Sequence, residues 1–187
     1  MPIIQLHHPA DALDADLKHA LARRLTDVLL HMEGDGGTTG GRGFATVIFQ
    51  PVDTGDWWVG GSADDTYVTA PGRFLAHVTI PEGYMNRAHK TEVHRDVTRA
   101  IADTVAPGAS DPATSIQVII DEVPEGNWGA GGRTISLDHI ADVVGLPKDG
   151  ARWQWVEQYF AAKARADRAA GFPSDRGGLL PSEPGGR

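Results

Sequence analysis

An internal repeat constrains the fold of this chain more than any other feature. The stretch PIIQLHHP from Pro2 matches FLAHVTIP from Phe74, and the match continues into the next segment at the same spacing of 72 residues. The stretch VIFQPVDTGDWWVGG from Val47 matches VIIDEVPEGNWGAGG from Val118 at a spacing of 71 residues. Two nearly equal spacings indicate two copies of one structural unit.

Each copy has the pattern of a strand, a helix and a second strand. Runs of β-branched and aromatic residues predict strands at 2–8 and 44–52, and leucines at helical spacing predict a helix over 12–32. The glycine-rich stretch 34–43 predicts a loop. Because the crossover in such a unit is right-handed, its two strands should be parallel. We predict an α+β fold in which a tandem β-α-β repeat forms a four-stranded sheet with two helices on one face, plus short hairpins.

The repeat divides the chain into two units and leaves a C-terminal segment over. We place the first unit at 1–72, the second at 73–147, a C-terminal helix at 148–171 and a disordered tail at 172–187. The helix is predicted because three large apolar residues fall on one helical stripe. They are Trp153, Val156 and Phe160. The tail is rich in Pro, Gly and Ser and has few apolar groups to bury.

Composition excludes several classes of protein. The chain has no cysteine, which rules out disulfides, zinc-thiolate sites, iron-sulfur clusters and cysteine nucleophiles. A net charge of -8 argues against nucleic acid as a partner, because backbone binding relies on clustered Lys and Arg. Since no apolar run has the length of a membrane span and no signal pattern opens the chain, we expect a cytoplasmic protein without a membrane partner.

The histidines do not predict a metal site. Two of the eight, His89 and His94, lie five residues apart on a predicted helix, well off a common face. His7 and His8 point to opposite sides of a strand. We therefore predict no metal site.

Pro2 is the first candidate for chemistry. The initiator Met1 is usually removed before a residue this small, and its removal would leave a secondary amine at the chain terminus. Burial among apolar side chains disfavours the ammonium form and lowers its pKa toward neutrality, where a general base is effective. A Met-Pro start is common, however, and by itself carries little weight.

The glycine-rich hairpins GDWWVGG and GNWGAGG are the second candidate. Their glycines permit close backbone approach, and Trp57, Trp58 and Trp128 offer flat apolar surfaces. These side chains would wall a pocket, anchor neighbouring subunits, or do both.

These residues carry a resemblance to a known family. PIIQLHH followed by an amphipathic helix, and SIQVIIDEVPEGNWGAGG closing the second unit, resemble the 4-oxalocrotonate tautomerase group of the tautomerase superfamily. The resemblance covers roughly residues 2–133, and the doubled length is similar to fused members such as cis-3-chloroacrylic acid dehalogenase and malonate semialdehyde decarboxylase. It implies a homotrimer, no cofactor, and Pro2 as the catalytic base or acid. The second unit begins with Phe74, whose nitrogen is an amide, so the resemblance implies one proline site per chain.

The chain departs from the family where substrate would bind. Short tautomerases carry an arginine after the first strand, where Ala12 and Tyr84 stand here, and another in the second strand, where Thr46 and Gln117 stand. Other groups near these places should then hold the substrate carboxylate, although each arginine among them also fits an ordinary surface position. The candidate substrate-binding residues are Trp57, Trp128, Arg42, Arg73, Arg87, Arg133, Tyr84 and Gln117.

The sequence therefore favours a cofactor-free keto-enol tautomerase that acts on a small 2-oxo or 2-hydroxy-dienoate acid. Ala130 lies near the place where the dehalogenase branch has a glutamate, which makes hydration chemistry less favoured. The alternatives are a decarboxylase, or a hydratase or dehalogenase, acting on a 3-carbon acid with a cationic Pro2. A non-catalytic trimeric scaffold is the alternative outside the enzyme class.

Overall fold

The computed structural model describes residues 2–33, 39–108 and 113–182. The expected removal of Met1 therefore concerns a residue outside the described ones. So do the first part of the predicted glycine-rich loop, 34–38, and the end of the predicted tail, 183–187.

The four long strands form the predicted sheet. They are β1 (Ile3–Pro9), β2 (Thr46–Val52), β3 (Phe74–Pro81) and β4 (Ile116–Val123), in the order β2-β1-β3-β4. The strands of each unit are parallel, as predicted, and β1 runs antiparallel to β3 between the units.

A pseudo-twofold axis relates the two units. Gln5 pairs with His77 across β1 and β3, and these two residues are repeat equivalents, 72 positions apart. The axis passes between them, so the starts of β1 and β3 lie at opposite ends of the sheet. Pro2 and its repeat equivalent Phe74 are therefore far apart within one chain.

Two long helices cover one face of the sheet, as the sequence predicts. They are α1 (Ala15–Met32) and α3 (Arg87–Val105). The helix α1 begins three residues later than predicted because the Asp14 side chain caps it and accepts a hydrogen bond from the Leu17 N–H at 2.8 Å. Under the helices, alternate residues of the central strands, such as Ile4 and Val78, are fully buried.

In the described part of the chain, the opposite face of the sheet is partly exposed. Ile48 on β2 is 39% exposed and Ile119 on β4 is 42% exposed. Between them the rings of His7 and His77 meet edge to face, and His77 Nδ1 lies 2.9 Å from the Asp121 carboxylate. A face of this kind, partly apolar and unpaired, is a candidate subunit interface.

The prediction of a loop through the glycine-rich stretch is wrong for its second part. Residues Thr39–Phe44 form a short helix, α2. An ion pair of 2.8 Å between Arg42 and Asp27 ties it to α1, and Gly41 is buried. Tertiary contacts here outweigh the cost of about 1 kcal/mol that each glycine imposes on a helix.

The hairpin predicted to close the second unit is present, and a helix that was not predicted follows it. The hairpin strands are β5 (Gly129–Ala130) and β6 (Arg133–Thr134), and the helix α4 (Leu137–Val144) follows directly. Ser136 caps the start of α4, and Gly145, at a φ of 71°, ends it.

The C-terminal helix α5 (Ala151–Ala169) is present as predicted. Its buried stripe includes all three predicted residues. They are Trp153, Val156 and Phe160, followed by Ala164. Residues 172–182 differ from the expected disordered tail, because Leu179 and Leu180 are buried in the hydrophobic core. Among the described residues, no helix combines the length and apolar character that crossing a bilayer requires.

Candidate active site

Pro2 lies immediately before β1 and is buried. Its carbonyl oxygen accepts a hydrogen bond of 3.1 Å from the Thr46 N–H at the start of β2. The parallel pairing of β1 and β2 thus fixes the position of Pro2, although residues this close to a chain end are usually poorly ordered.

A small cavity of about 10 Å³ adjoins Pro2. Its walls come from four separate segments of the chain. They are Pro2, Met32, Glu33, Ile80, Pro81, Tyr84, Met85, Leu137 and Ile140. The volume is enough for about one water molecule. The environment of Pro2 is therefore dry and largely apolar, with Glu33 and Tyr84 as its polar members.

Glu33 and Tyr84 form the polar side of this cavity. Glu33 follows the last residue of α1 and is 5% exposed, and burial raises the pKa of its carboxyl. The Tyr84 hydroxyl donates a 2.7 Å hydrogen bond to the Glu33 carbonyl. Burial also raises the pKa of the Tyr84 phenol, so Tyr84 stays protonated at neutral pH.

The helix α4 covers the cavity. Leu137 and Ile140 line it, and the Glu125 carboxylate accepts a 3.0 Å hydrogen bond from the Leu137 N–H at the start of this helix. Glu125 is 7% exposed, and burial raises the pKa of its carboxyl. The position of α4 therefore depends on a buried acidic side chain.

We expect the replacement Glu125→Gln to change how stability depends on pH. Because the pKa of Glu125 is raised above 4.5 in the fold, the folded protein keeps a proton that the unfolded chain has lost. In that window the contribution of this group to stability falls as pH rises. The free energy of unfolding of both proteins is measured in urea at several pH values. As pH rises from 4.5, the variant should become more stable relative to the wild type, and at higher pH the difference in free energy should become constant. A difference that is constant throughout would contradict this role.

The helix α5 docks against the turn that carries Tyr84. Gly83 has a φ of 76°, and a Cβ atom there would lie 2.5 Å from the Tyr159 ring, so a larger residue would block the approach. Beside it, the Glu82 carboxylate accepts hydrogen bonds from the Tyr159 hydroxyl at 2.7 Å and from Lys163 at 2.6 Å. Burial raises the pKa of Glu82, but these hydrogen bonds and the charge of Lys163 outweigh burial and hold the pKa below its ordinary value.

This docking brings Arg152, near the start of α5, close to the Pro2 cavity. Its guanidinium carbon lies 5.2 Å from the centre of the Tyr84 ring, and its Nη1 donates a 2.9 Å hydrogen bond to the Met32 carbonyl. Both Tyr84 and Met32 line the cavity. Arg152 therefore places a positive charge against two residues that line the Pro2 cavity.

Of the predicted substrate-binding residues, Tyr84 is the one that lines the Pro2 cavity. Trp128 lies at the same end of the sheet, where β4 ends, and its carbonyl accepts a 2.8 Å hydrogen bond from the Ile135 N–H just before α4. Its side chain is half-buried and does not line the cavity. The second hairpin thus holds the helix that covers Pro2.

Three other predicted residues lie at the opposite end of the sheet. Trp57, Arg73 and Gln117 line a separate cavity of about 170 Å³ beside Phe74. Phe74, the repeat equivalent of Pro2, also lines this cavity. Within one chain these three residues do not meet Pro2.

The guanidinium of Arg73 is hydrogen-bonded to the loop that precedes this residue. Its guanidinium donates hydrogen bonds to the carbonyls of Trp57, Ala63 and Asp64, and forms an ion pair of 3.0 Å with the Asp65 carboxylate. The Arg73 side chain is 6% exposed. These contacts give Arg73 a role in holding the first hairpin against the sheet.

The remaining predicted arginines are exposed. Arg42 pairs with Asp27, Arg87 is the first residue of α3, and Arg133 lies in β6. None of the three lines the Pro2 cavity. In the described part of the chain, no group of three or more His, Asp and Glu side chains is arranged to hold a metal ion.

Sequence reasoning missed most of the residues around Pro2. They are Glu33, Met85, Leu137, Ile140 and Arg152. The sequence does carry a signal for Leu137 and Ile140, because it marks the helix that contains them. Ser136 caps the start of that helix, apolar residues recur at helical spacing from Leu137 to Val144, and Gly145 ends it. Glu33, Met85 and Arg152 carry no such signal, since their proximity to Pro2 depends on tertiary packing.

Comparison with known proteins agrees with this architecture. Residues 75–137 match the family described as Tautomerase enzyme. A wild-type fused 4-OT, described as an asymmetric trimer, has a TM-score of 0.56 at 17% identity over 71% of this chain and 94% of its own. A member of the cis-3-chloroacrylic acid dehalogenase family has a TM-score of 0.56 at 20% identity over 91% and 99%. No curated protein matches the chain significantly.

A further structural neighbour was solved after inactivation by 2-oxo-3-pentynoate, with a TM-score of 0.54 at 16% identity over 74% of this chain and 97% of its own. The tandem β-α-β architecture, with its four-stranded mixed sheet, defines the class as the fused 4-OT fold. The family match lies within the second unit, and the structural neighbours share this fold over both units.

Proposed function

We propose that the protein is a cofactor-free keto-enol tautomerase that acts on a small 2-oxo or 2-hydroxy-dienoate acid through the amine of Pro2. The observation that carries the proposal is the burial of Pro2 in a dry cavity whose polar members are Glu33 and Tyr84. Apolar walls favour the neutral amine over the ammonium, and a neutral amine accepts a proton.

The proposed reaction moves one proton and needs no other reactant. The Pro2 nitrogen takes the hydroxyl proton of the enol, and the oxygen electrons form the carbonyl bond. The electron pair of the carbon-carbon double bond then takes that proton from the Pro2 ammonium at carbon. The base is regenerated, and enol has become ketone. Tyr84, protonated at neutral pH, remains a hydrogen-bond donor throughout.

Glu33 supports a second candidate activity. An ionised carboxylate beside Pro2 would stabilise the ammonium, which is the form that a decarboxylase, or a hydratase or dehalogenase, of a 3-carbon acid would use as an acid. The small cavity supports the third candidate, a non-catalytic scaffold, since about 10 Å³ holds no substrate without a movement of the walls.

The proposed assembly is a homotrimer. The partly exposed sheet face that carries Ile48 and Ile119 supports it, and two structural neighbours are described as trimers. In such an assembly the end of the sheet that carries Trp57, Arg73 and Gln117 would contribute to the Pro2 site of a neighbouring subunit. That arrangement would give these three residues the substrate-binding role that they do not have within one chain.

The proposal is tested on the full-length wild-type protein. We expect intact-mass spectrometry to show the loss of Met1, and we expect ketonisation of phenylenolpyruvate or 2-hydroxymuconate at neutral pH. The ynone 2-oxo-3-pentynoate, which reacts with unprotonated amines, should label Pro2 ahead of the lysines. Retention of Met1, or label found on lysines while Pro2 stays unmodified, would contradict the proposal. Turnover of 3-haloacrylates or malonate semialdehyde in place of the enols would favour the second candidate.

A further inference from the structure

A second, larger cavity adjoins the Pro2 cavity. Its volume is about 160 Å³, against about 10 Å³ beside Pro2, and it lies between α1, α3 and the start of α5. Met32 and Met85 line both cavities, so these two side chains form the partition. Methionine side chains are unbranched and adapt their shape at low cost. A movement of this partition would join the larger cavity to Pro2.

Arg152 supplies the positive charge of this larger cavity at its inner wall. It lies against the partition, with Nη1 bonded to the Met32 carbonyl and the guanidinium over the Tyr84 ring. Its remaining N–H donors make no hydrogen bond within the described part of the chain. A half-buried guanidinium with free donors is suited to bind a carboxylate.

The other residues that line the larger cavity determine whether a monocarboxylic or a dicarboxylic acid fits. Burial, and then the charge of Arg152, lower the pKa of His89, so His89 adds polarity without charge at neutral pH. Asp96 already pairs with Arg95 through contacts of 2.7 Å and 2.9 Å. Glu92 is exposed at the rim and adds negative charge there. One carboxylate is thus attracted to the inner wall, whereas a second at the rim would be repelled.

We propose that Arg152 anchors the carboxylate of a small monocarboxylic substrate in this cavity, with the reacting carbons directed past Met32 and Met85 toward Pro2. This inference rests on the proposed function for the chemistry, but its binding step can be measured without turnover. It places a substrate-binding residue on α5, outside both repeat units. It also selects monoacids over diacids.

The variant Arg152→Met removes the charge and keeps the length, and Arg165→Met, an exposed position on the same helix, is the matched control. We expect KM for phenylenolpyruvate to rise roughly ten- to hundredfold in Arg152→Met with kcat little changed, since one charge-assisted contact to substrate is lost. Arg152→Lys should restore part of the affinity. The wild type should prefer phenylenolpyruvate to the diacid 2-hydroxymuconate in kcat/KM, and Glu92→Gln should narrow that preference.

Binding is then measured separately by calorimetry of phenylpyruvate with Pro2→Ala, in the presence and absence of Arg152→Met. Binding to Pro2→Ala that disappears when Arg152 is also replaced supports the inference, even if the wild type shows no turnover. Equal binding with and without Arg152, or a KM unchanged in Arg152→Met, overturns it while leaving the role of Pro2 intact. A preference of the wild type for the diacid would also overturn it.

Discussion

Replacing Pro2 by alanine should lower kcat/KM for enol ketonisation by about 10²- to 10⁴-fold, the usual contribution of a positioned general acid-base group. Removal of Met1 would leave alanine with a primary amine, which lacks the ring that sets the direction of the nitrogen. The other walls of the cavity would remain, since they come from the end of α1, the end of β3, the turn that follows β3, and α4. The loss should therefore appear in kcat more than in KM.

Pro107→Ala is the matched control for this variant. Pro107 is exposed in the turn after α3 and lines neither the Pro2 cavity nor the cavity beside Phe74, so its loss should leave kcat/KM unchanged. Circular dichroism and the oligomeric state should be the same for both variants and the wild type. Equal rates for Pro2→Ala and the wild type would exclude Pro2 as the proton carrier.

Replacing Phe160 by alanine should lower the free energy of unfolding by about 3–5 kcal/mol. Phe160 is 0% exposed on α5 and packs edge to face on Tyr159, next to the turn at Gly83. A cavity at this place would loosen α5 from the turn that carries Tyr84. Arg152 would then lose its fixed position, so we expect KM for the enol to rise in the same variant.

Gln158→Ala, an exposed change on the same helix, is the control, and it should alter stability by less than about 0.5 kcal/mol. Both variants should be unfolded in urea at one protomer concentration, because subunit association contributes to the stability of an oligomer. If Phe160→Ala were as stable as Gln158→Ala, α5 would be an accessory helix, and the placement of Arg152 would need another explanation.

The repeat made the sheet predictable from sequence. The parallel pairs β1-β2 and β3-β4 follow from two strand-helix-strand units, and the apolar alternation at Ile4, Leu6, Ala76 and Val78 sets which face the helices cover. Pro2 was predictable as well, because its place at the start of β1 depends on a local pattern. Pro2 is buried in the structure, and its catalytic role stays a prediction.

The neighbours of Pro2 were not predictable in the same way. Glu33, Leu137 and Arg152 come from segments far apart in the chain, and no repeat relates them. In the sequence Arg152 resembles any other surface arginine, and its significance arises when Tyr159 docks at Gly83. Arg73, by contrast, lies close in sequence to the positions where a substrate-binding arginine was expected. In the fold, backbone carbonyls of the first hairpin hold its guanidinium. Proximity in sequence was a poor guide to proximity in the fold.

The proposed function requires the nitrogen of Pro2 to be neutral at working pH. Apolar walls and room for about one water disfavour the ammonium, while Glu33 favours it. The desolvation should prevail, because the same burial raises the pKa of Glu33 and so weakens its negative charge. Tyr84 stays protonated and therefore adds no negative charge that would favour the ammonium.

The most direct measurement is a ¹⁵N NMR titration of the mature, proline-labelled protein, followed at the Pro2 nitrogen. A free α-amino group is half-protonated at a pH of about 7.7–8.0, so we expect the Pro2 nitrogen to be mostly neutral there. A Pro2 nitrogen that remained fully protonated well above that pH would contradict the proposed role of Pro2 as a base.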